Sequence, residues 1–239
     1  MGCKLCDPNL AQHTSIIRTP NFLGDREIAQ VVAAADAVRL RGASGSTSAR
    51  FKTPLYLQGG GLSPALAPIF QKVCALVASV DAAHWGALAD CDKRIDELHG
   101  VNARCVEFHE YSERGRHVCE SHFDAGSLFT ADIMLSDTNV FEGGDMTSTV
   151  WEGAAGGRAD VDAQSSDGGD SDGTDLPTAA CGVASSLRTH HAFEKGDCLV
   201  FLSAKHHSVG AMRGGTRRVL VIEFWNGPLC QSDHRCADG

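Results

Sequence analysis

The sequence predicts a mainly β fold, an antiparallel sandwich or barrel with helices bracing one face. Two stretches in the first hundred residues have apolar side chains at helical spacing. From Arg104 onward the apolar residues fall in short runs separated by glycine or aspartate turns, which is typical of strands. Six or more short strands after two helices favour an antiparallel arrangement with the helices on one face.

The length and charge of the chain fit one globular body with an acidic segment. Its 239 residues are enough for one sizeable domain, and a hydrophobic content of 43% is typical of globular proteins. The formal net charge is −9, but segment 152–175 holds seven acidic residues and one arginine, a net of −6, which leaves −3 for the rest. We therefore expect a nearly neutral folded body and no nucleic-acid partner.

The sequence gives no indication of export or membrane insertion. No apolar signal-peptide core follows Met1, and no run of about 18 apolar residues occurs, so we expect neither secretion nor a membrane span. The ten cysteines are scattered along the chain and are expected to be reduced thiols. We therefore expect an intracellular, cytoplasmic location.

The cysteines near the two ends allow three interpretations. Gly2 followed by Cys3 is typical of double acylation, although position 6 is cysteine where the acylation pattern needs serine or threonine. A zinc site joining the two ends is the second interpretation, with the ligands Cys3, Cys6, Cys230, His234 and Cys236. Disordered tails, including 227–239, are the interpretation we favour.

Residues 1–103 are predicted to form a tail and a helical support layer. The first helix begins at Asp25 and has the apolar residues Ile28, Val31, Val32, Ala35 and Val38 at helical spacing. A flexible linker, 42–48, follows. The second helix begins at Ser63-Pro64 and is expected to bury Ile69, Val73, Leu76, Val77 and Val80. Trp85 and segment 92–98 complete this layer.

Residues 104–226 are predicted to form the β domain. The expected strands are 105–111, 128–135, 145–151, 187–193, 198–202 and 218–225. Segment 152–180 is rich in glycine, serine and aspartate and has almost no large apolar side chains, so burial cannot offset the entropy lost on ordering it. We interpret it as a disordered acidic insertion between two strands.

His122-Phe123-Asp124 is the stretch around which the functional prediction is built. In an extended strand, residues two apart point to the same face, so an imidazole and a carboxylate converge. A third ligand is expected from Lys205-His206-His207, which follows the apolar run 198–202. Two histidines and one carboxylate are the ligand set of non-haem Fe(II) oxygenases.

Arg217 is the candidate anion-binding residue. It lies ten residues after His207, at the start of the apolar run 218–225. Its planar guanidinium can hold a carboxylate through two parallel hydrogen bonds, as a cosubstrate such as 2-oxoglutarate requires at its far end.

At these residues the sequence resembles the Fe(II)/2-oxoglutarate-dependent dioxygenases, and specifically their prolyl 4-hydroxylase-like branch. The resemblance covers roughly Arg104 to Trp225 and consists of an ordered set of motifs. These motifs are His122-x-Asp124, Gly196-Asp197-x-Leu199-x-Phe201, His207-x-Val209 and Gly215-x-Arg217. The resemblance implies a double-stranded β-helix, also called a jelly roll, as the specific form of the β domain.

The resemblance also implies an activity and a set of site residues. His122, Asp124 and His207 would bind Fe(II), with His207 rather than its neighbour as the third ligand because of the His-x-Val pattern. The cosubstrates would be 2-oxoglutarate and O2, with ascorbate as a further expected cofactor, and the reaction would be hydroxylation of a C–H bond with release of succinate and CO2. Arg217, Tyr111 and Thr130 would bind 2-oxoglutarate.

Two other functions stay open at this point. One is a binding module of the same fold that holds a metal or ligand without turnover, and the other is a cupin-like metalloprotein that does not use 2-oxoglutarate. The substrate, a prolyl residue, another peptide group or a small molecule, is chosen by residues on strand-connecting loops, and nothing in those loops marks one class.

Overall fold

A computed structural model describes residues 11, 13–42, 52–55, 62–90, 102–113, 119–150 and 187–225. The helices are α1 (Asp25–Gly42), α2 (Ala67–His84) and α3 (Ala87–Asp90), with a 3-10 turn at Thr138–Val140. The strands are β1 (Ile17–Thr19), β2 (Lys52–Pro54), β3 (Asn102–Ser112), β4 (Cys119–His122), β5 (Phe129–Met134), β6 (Phe141–Gly143), β7 (Met146–Val150), β8 (Leu187–His191), β9 (Cys198–Leu202), β10 (His207–Val209) and β11 (Met212–Trp225). Within these residues no helix is both long and apolar enough to cross a membrane.

The strands form two antiparallel sheets that face each other. In the described residues the larger sheet has seven strands in the order β1-β9-β5-β11-β3-β2, with β6 pairing with the first part of β11. The smaller sheet has the order β4-β10-β7-β8. This arrangement is the predicted mainly β fold, a jelly roll braced by helices.

The alternation of side chains along the larger sheet divides its residues between two cores. One face of β11 contributes Leu220, Ile222 and Phe224 to a core shared with the helices, and the other contributes Val219 and Val221 to a core between the two sheets. Because strand side chains alternate with a period of two, the same division holds along β3, β5 and β9. The inner face therefore carries both apolar residues and the polar groups of the site.

The helices cover the outer face of the larger sheet. Helix α1 begins at Asp25 as predicted, and α2 buries Ile69, Val73, Val77 and Val80. Stacked aromatic pairs join the helical layer to the sheet: the ring centroids of Phe70 and Phe224 are 6.0 Å apart. Burial of these apolar side chains supplies the main stabilisation of the layer.

Most of the predicted elements are confirmed, and the shortest ones were not predicted. Strand β9 matches its predicted bounds, and β3, β5, β7, β8 and β11 are found within a few residues of theirs, although β11 begins six residues earlier than expected. The second helix begins at Ala67 rather than at Ser63. Strands β1, β2, β4, β6 and β10, each of three or four residues, had no prediction as strands of their own. Gly42, the first residue of the predicted linker, is the last residue of α1. The rest of the linker, segment 92–98, the acidic insertion and both tails lie outside the described residues.

Gly215 has a left-handed backbone conformation in β11, and we predict that Gly215→Ala destabilises the fold. The residue has φ +72°, and an added Cβ would collide with the carbonyl oxygen of Val140. A left-handed backbone costs an L-residue about 1–2 kcal/mol before any collision. We expect a loss of about 2 kcal/mol or more, which corresponds to a fall in Tm of about 4 °C or more in a chain of this size.

Gly214→Ala is the matched control for this variant. Its added Cβ would meet the Cβ of Glu142 at 3.9 Å, an ordinary contact, and its φ is not in the left-handed region. Thermal unfolding of both variants by circular dichroism checks the prediction. Equal Tm values for Gly215→Ala and Gly214→Ala would contradict it.

Candidate metal centre

Two neighbouring strands of the smaller sheet bring the predicted metal ligands together. Strand β4 ends at His122, and the chain continues through Phe123 to Asp124, whose backbone N–H donates to the carbonyl of Ser203 at 2.9 Å. Strand β10 begins at His207, which pairs directly with His122. The two imidazoles therefore lie side by side on one face of the smaller sheet, with ring centroids 4.4 Å apart.

His122, Asp124 and His207 form a cluster whose geometry fits a metal ion. Their ligand atoms all lie within 4.8 Å of one another. The Nε2 atom of His122 is 3.7 Å from Asp124 Oδ1, and the Nε2 atom of His207 is 3.9 Å from Asp124 Oδ2. First-row metal ions bond nitrogen and oxygen at about 2.0–2.2 Å, so two atoms that share one ion lie about 3–4 Å apart. The two pairs fall within that range.

Hydrogen bonds hold two of the three side chains in orientation. The Nδ1 atom of His207 lies 3.0 Å from the backbone carbonyl of Lys205, which places a proton on Nδ1 and leaves the Nε2 lone pair facing Asp124. The Thr130 hydroxyl donates to Asp124 Oδ2 at 2.6 Å. Its oxygen in turn accepts from Ser203 Oγ at 2.8 Å, because its one proton is already used.

Burial keeps His207 in the form that a metal needs. It lowers the pKa of the His207 imidazole, although the nearby Asp124 carboxylate opposes this effect. A neutral imidazole has a free lone pair, whereas an imidazolium has none. The buried position of His207 therefore favours metal binding near neutral pH.

His206 lies on the other side of the sheet from His207, as strand alternation predicts. Its ring packs on Phe123 with centroids 5.3 Å apart. Phe123 is 45% exposed, so this pair is at the surface of the sheet while His207 is buried. Alternation thus separates the two adjacent histidines into an inward and an outward one.

Arg217 is a buried cation on the inner face of the larger sheet. It is 2% exposed, and its Cζ atom lies 5.2 Å from the centroid of the Tyr111 ring and 5.5 Å from that of Phe193. Within the described residues it forms no salt bridge, and its Nε has no hydrogen-bond partner. Burial lowers the pKa of Arg217, but a guanidinium keeps its charge. A buried cation without an anion is costly, and an anionic ligand would offset that cost.

The structure places Tyr111 beside Arg217 and Thr130 beside the metal cluster. Tyr111 pairs with Arg217 in the β3–β11 ladder. Thr130 pairs with Glu223, six residues further along β11, which corresponds to about 20 Å of strand. The two residues predicted to contact the cosubstrate with Arg217 therefore lie at different ends of the inner face.

Asp132 is a polar residue of the inner face that the sequence analysis did not single out. It is buried on β5, and its Oδ1 has no hydrogen-bond partner among the described residues. Burial raises the pKa of Asp132 to about 7, with a further rise from Asp124 and an opposing effect of Arg217. Asp132 thus feels the charges of both the metal cluster and the arginine. The one sequence signal for Asp132 is that it is a charged residue within a mostly apolar strand, Phe129 to Met134.

Comparison with solved structures finds several proteins that have a similar fold. A prolyl-4-hydroxylase from Pseudomonas putida superposes with a TM-score of 0.55 at 13% identity, covering 92% of this chain and 97% of that one. The non-haem alpha-ketoglutarate-dependent epimerase SnoN of nogalamycin biosynthesis has a TM-score of 0.54 at 17% identity, over 90% of this chain and 79% of that one. The likeness is one of fold. No protein-family model and no curated protein matches the sequence.

A viral collagen prolyl hydroxylase from Paramecium Bursaria Chlorella virus-1 is a third similar structure. It has a TM-score of 0.50 at 15% identity and covers 90% of this chain and 97% of that one. All three likenesses extend over nine tenths or more of the chain. The shared architecture therefore includes the helical layer as well as the two sheets.

We predict that Asp132→Asn stabilises the protein, and more at pH 8 than at pH 5. The carboxyl holds its proton up to about pH 7 in the folded state but loses it near pH 3.8 when unfolded. The Asp132 carboxyl therefore lowers the free energy of unfolding by a growing amount as pH rises between those two values. Above both values this loss is constant. One unit of pKa shift corresponds to about 1.4 kcal/mol, so we expect the extra gain at pH 8 to be roughly 1–3 kcal/mol.

Urea unfolding at the two pH values, without added metal, measures this effect. Asp36→Asn, an exposed change on α1, is the control and is expected to shift stability equally at both pH values. A gain for Asp132→Asn that is independent of pH would show that Asp132 carries its charge in the folded protein throughout this range.

Proposed function

We propose that the chain is an Fe(II)- and 2-oxoglutarate-dependent oxygenase that hydroxylates a C–H bond and releases succinate and CO2. The observation that carries the proposal is the pairing of two features in one fold. His122, Asp124 and His207 converge within 4.8 Å of one another, and a buried arginine without a salt bridge lies on the facing inner surface. The described residues thus offer a metal site and a separate site for an anion.

The three clustered side chains would hold the iron. Two imidazoles and one carboxylate leave further coordination positions for a chelating cosubstrate and for O2. When bound, Fe(II) supplies the activation of dioxygen and the oxidative decarboxylation of 2-oxoglutarate, chemistry that the protein groups cannot perform. The similar structures described as alpha-ketoglutarate-dependent or as prolyl hydroxylases support this assignment.

The chain's own residues would bind and orient the cosubstrate. Arg217 would hold the carboxylate far from the metal, since its fork of N–H donors matches a carboxylate. The rings of Tyr111 and Phe193 flank the guanidinium and exclude water from it, which strengthens the electrostatic attraction. Thr130 would steady Asp124 through its 2.6 Å hydrogen bond, and its predicted contact with the cosubstrate stays a prediction.

The finer assignment is to the prolyl 4-hydroxylase-like branch. Its support is the ordered motif set from His122 to Arg217 and the two prolyl hydroxylases among the similar structures. We keep as proposals a prolyl residue, another peptide group or a small molecule as substrate, ascorbate as an additional cofactor, and an intracellular, cytoplasmic location.

One observation favours an alternative function. Asp132 lies on the inner face, where its carboxyl feels both Asp124 and Arg217. A negative charge there opposes a dianionic cosubstrate. A metal- or ligand-binding module without turnover, or a cupin-like metalloprotein that does not use 2-oxoglutarate, would avoid this conflict. Measurement of 2-oxoglutarate binding together with succinate formation separates these cases.

We predict a weak visible metal-to-ligand charge-transfer band when 2-oxoglutarate is added to the anaerobic Fe(II) protein. The band arises when the keto acid chelates the iron through its 1-carboxylate and 2-oxo group, and it requires no knowledge of the substrate. His207→Ala is expected to abolish it, because one of three ligands is lost. Absorbance spectroscopy under nitrogen, together with an assay of succinate formation in air, makes the measurement.

His206→Ala is the matched control for that experiment. The residue is adjacent in sequence but faces Phe123 on the outside of the sheet. The control should keep the band at full intensity. Loss of the band in both variants would contradict the assignment of His207, and not His206, as the ligand. Absence of the band from a folded wild-type protein that binds Fe(II) would favour the alternative functions.

We predict that Arg217→Met raises the stability of the ligand-free protein while removing its response to 2-oxoglutarate. The change replaces a buried cation without a salt bridge by an apolar side chain of similar length, which removes a desolvation cost. The same change removes the partner of the ligand carboxylate and should weaken binding roughly 100-fold. Differential scanning calorimetry with and without 2-oxoglutarate measures both effects.

Arg218→Met provides the neighbouring control. Arg218 faces the opposite side of the sheet, where its Nε is 2.9 Å from Glu110 Oε2. Ligand-induced stabilisation should be the same in this variant as in the wild type. An equal response in Arg217→Met would place the anion site elsewhere.

A further inference from the structure

Strand β3 carries a hydrogen-bonded chain of three buried polar residues on its inner face. Glu107, His109 and Tyr111 are two residues apart, so their side chains share one face. The Nε2 atom of His109 is 2.7 Å from Glu107 Oε2, and its Nδ1 atom is 3.2 Å from the Tyr111 hydroxyl. All three are at most 7% exposed. The chain ends at the ring that packs on Arg217.

The Glu107 contact decides which proton His109 carries. A carboxylate only accepts hydrogen bonds, so the ring nitrogen facing it, Nε2, bears a proton. In the neutral imidazole, Nδ1 is then an acceptor, and Tyr111 donates its hydroxyl proton to it. In the imidazolium, Nδ1 is a donor, and the Tyr111 oxygen accepts. The protonation state of His109 therefore sets the direction of the Tyr111 hydroxyl.

The direction of the Tyr111 hydroxyl matters for an anion held by Arg217. The Arg217 Cζ atom is 5.2 Å from the Tyr111 ring centroid, and the two residues pair across β3 and β11. With neutral His109, the phenol proton is engaged and the oxygen presents lone pairs, which repel a carboxylate. With charged His109, the phenol no longer donates to His109, and its proton can be donated to the carboxylate. An anion thus favours the protonated form of His109.

The charges around the chain are compatible with a proton on His109. From β2, Lys52 pairs with His109, and its Nζ lies 3.5 Å from Glu107 Oε2, so its positive charge opposes a proton on His109. From β11, Arg217 is beside Tyr111, and Glu223 lies two residues beyond the Val221 that pairs with Glu107. From β5, Asp132 pairs with the other side of Val221. The ionised Glu107 is the group in direct contact with the imidazole, and it stabilises the positive charge.

We propose that Glu107, His109 and Tyr111 are positioning residues that couple binding of the cosubstrate carboxylate at Arg217 to uptake of one proton by His109. This inference rests on the proposed function, since it takes 2-oxoglutarate as the anion. The proton enters on His109 Nδ1, and the Tyr111 hydroxyl turns from His109 toward the carboxylate. No covalent bond other than N–H changes. Affinity then falls by up to about tenfold per pH unit where free His109 is neutral.

Isothermal titration calorimetry at pH 8 tests the coupling. 2-Oxoglutarate is titrated into the anaerobic Fe(II) protein in HEPES and in Tris, whose heats of ionisation differ, so the difference in observed heat gives the number of protons taken up. We expect close to one proton for the wild type and close to zero for Tyr111→Phe, which keeps the ring over Arg217 and removes the hydroxyl. His109→Gln should also give a value close to zero.

Two variants act as controls for other sources of a proton. Glu110→Gln lies on the opposite face of β3, where Glu110 pairs with Arg39 and Arg218, and it should keep the proton uptake of the wild type. Asp132→Asn should also keep it. Proton changes at the metal itself are common to all variants and cancel in the comparison.

The outcomes separate this inference from the proposed function. Binding without proton uptake in the wild type overturns the coupling and leaves the oxygenase proposal standing. Uptake that persists in Tyr111→Phe, or that is lost in Asp132→Asn and kept in His109→Gln, also overturns it and assigns the proton elsewhere. Absence of any binding heat in the wild type contradicts the proposed function and the inference together.

Discussion

The pairing of β11 with β3 on one side and β5 on the other determines where each polar side chain of the interior lies. Ten residue pairs join β11 to β3 and six join it to β5. Because a shift of one residue would move every inner side chain to the helix face, this register cannot slip without exposing the core. The register sets Arg217 opposite Tyr111, and it sets Val221 between Glu107 and Asp132. The site is thus a consequence of sheet pairing.

The inner face carries more charge than stability alone would favour. Asp124, Glu107, Asp132, Glu223 and Arg217 are all at most 8% exposed. Some of this charge is structural: Arg104 contacts Glu223, Ser127 and the carbonyl of Ala125, and so braces the turn that follows Asp124. Arg217 and Asp132 have no comparable role in the described fold. Buried ionisable groups without structural partners are characteristic of functional sites.

The sequence alone predicts the metal cluster better than it predicts its surroundings. His122, Asp124 and His207 could be found because two of them are two residues apart and the third sits in a recognisable motif. The choice of His207 over His206 follows from the His-x-Val pattern, and strand alternation puts His206 on the opposite face. Asp132, Glu107 and His109 were missed, because a polar residue in a strand normally faces solvent, and only the pairing with other strands shows that these face inward. Strands of three residues, such as β10, have too few residues to show a period.

The two proposed sites draw their side chains from different parts of the fold. The proposed metal ligands come from β4, the turn after it and β10, whereas Arg217, Tyr111 and Asp132 belong to the larger sheet. A substitution on β3 can therefore alter the proposed anion site without moving the proposed metal ligands, whereas β5 also carries Thr130, which donates to Asp124. In this chain the two acids that flank Val221 lie on either side of the strand that carries Arg217. Glu107 has a basic neighbour, His109, in direct contact, while Asp132 has none in the described residues. The Glu107 carboxyl thus has an imidazole beside it, whereas burial raises the pKa of the Asp132 carboxyl to about 7. The fold therefore accommodates the two acids beside this strand in different ways.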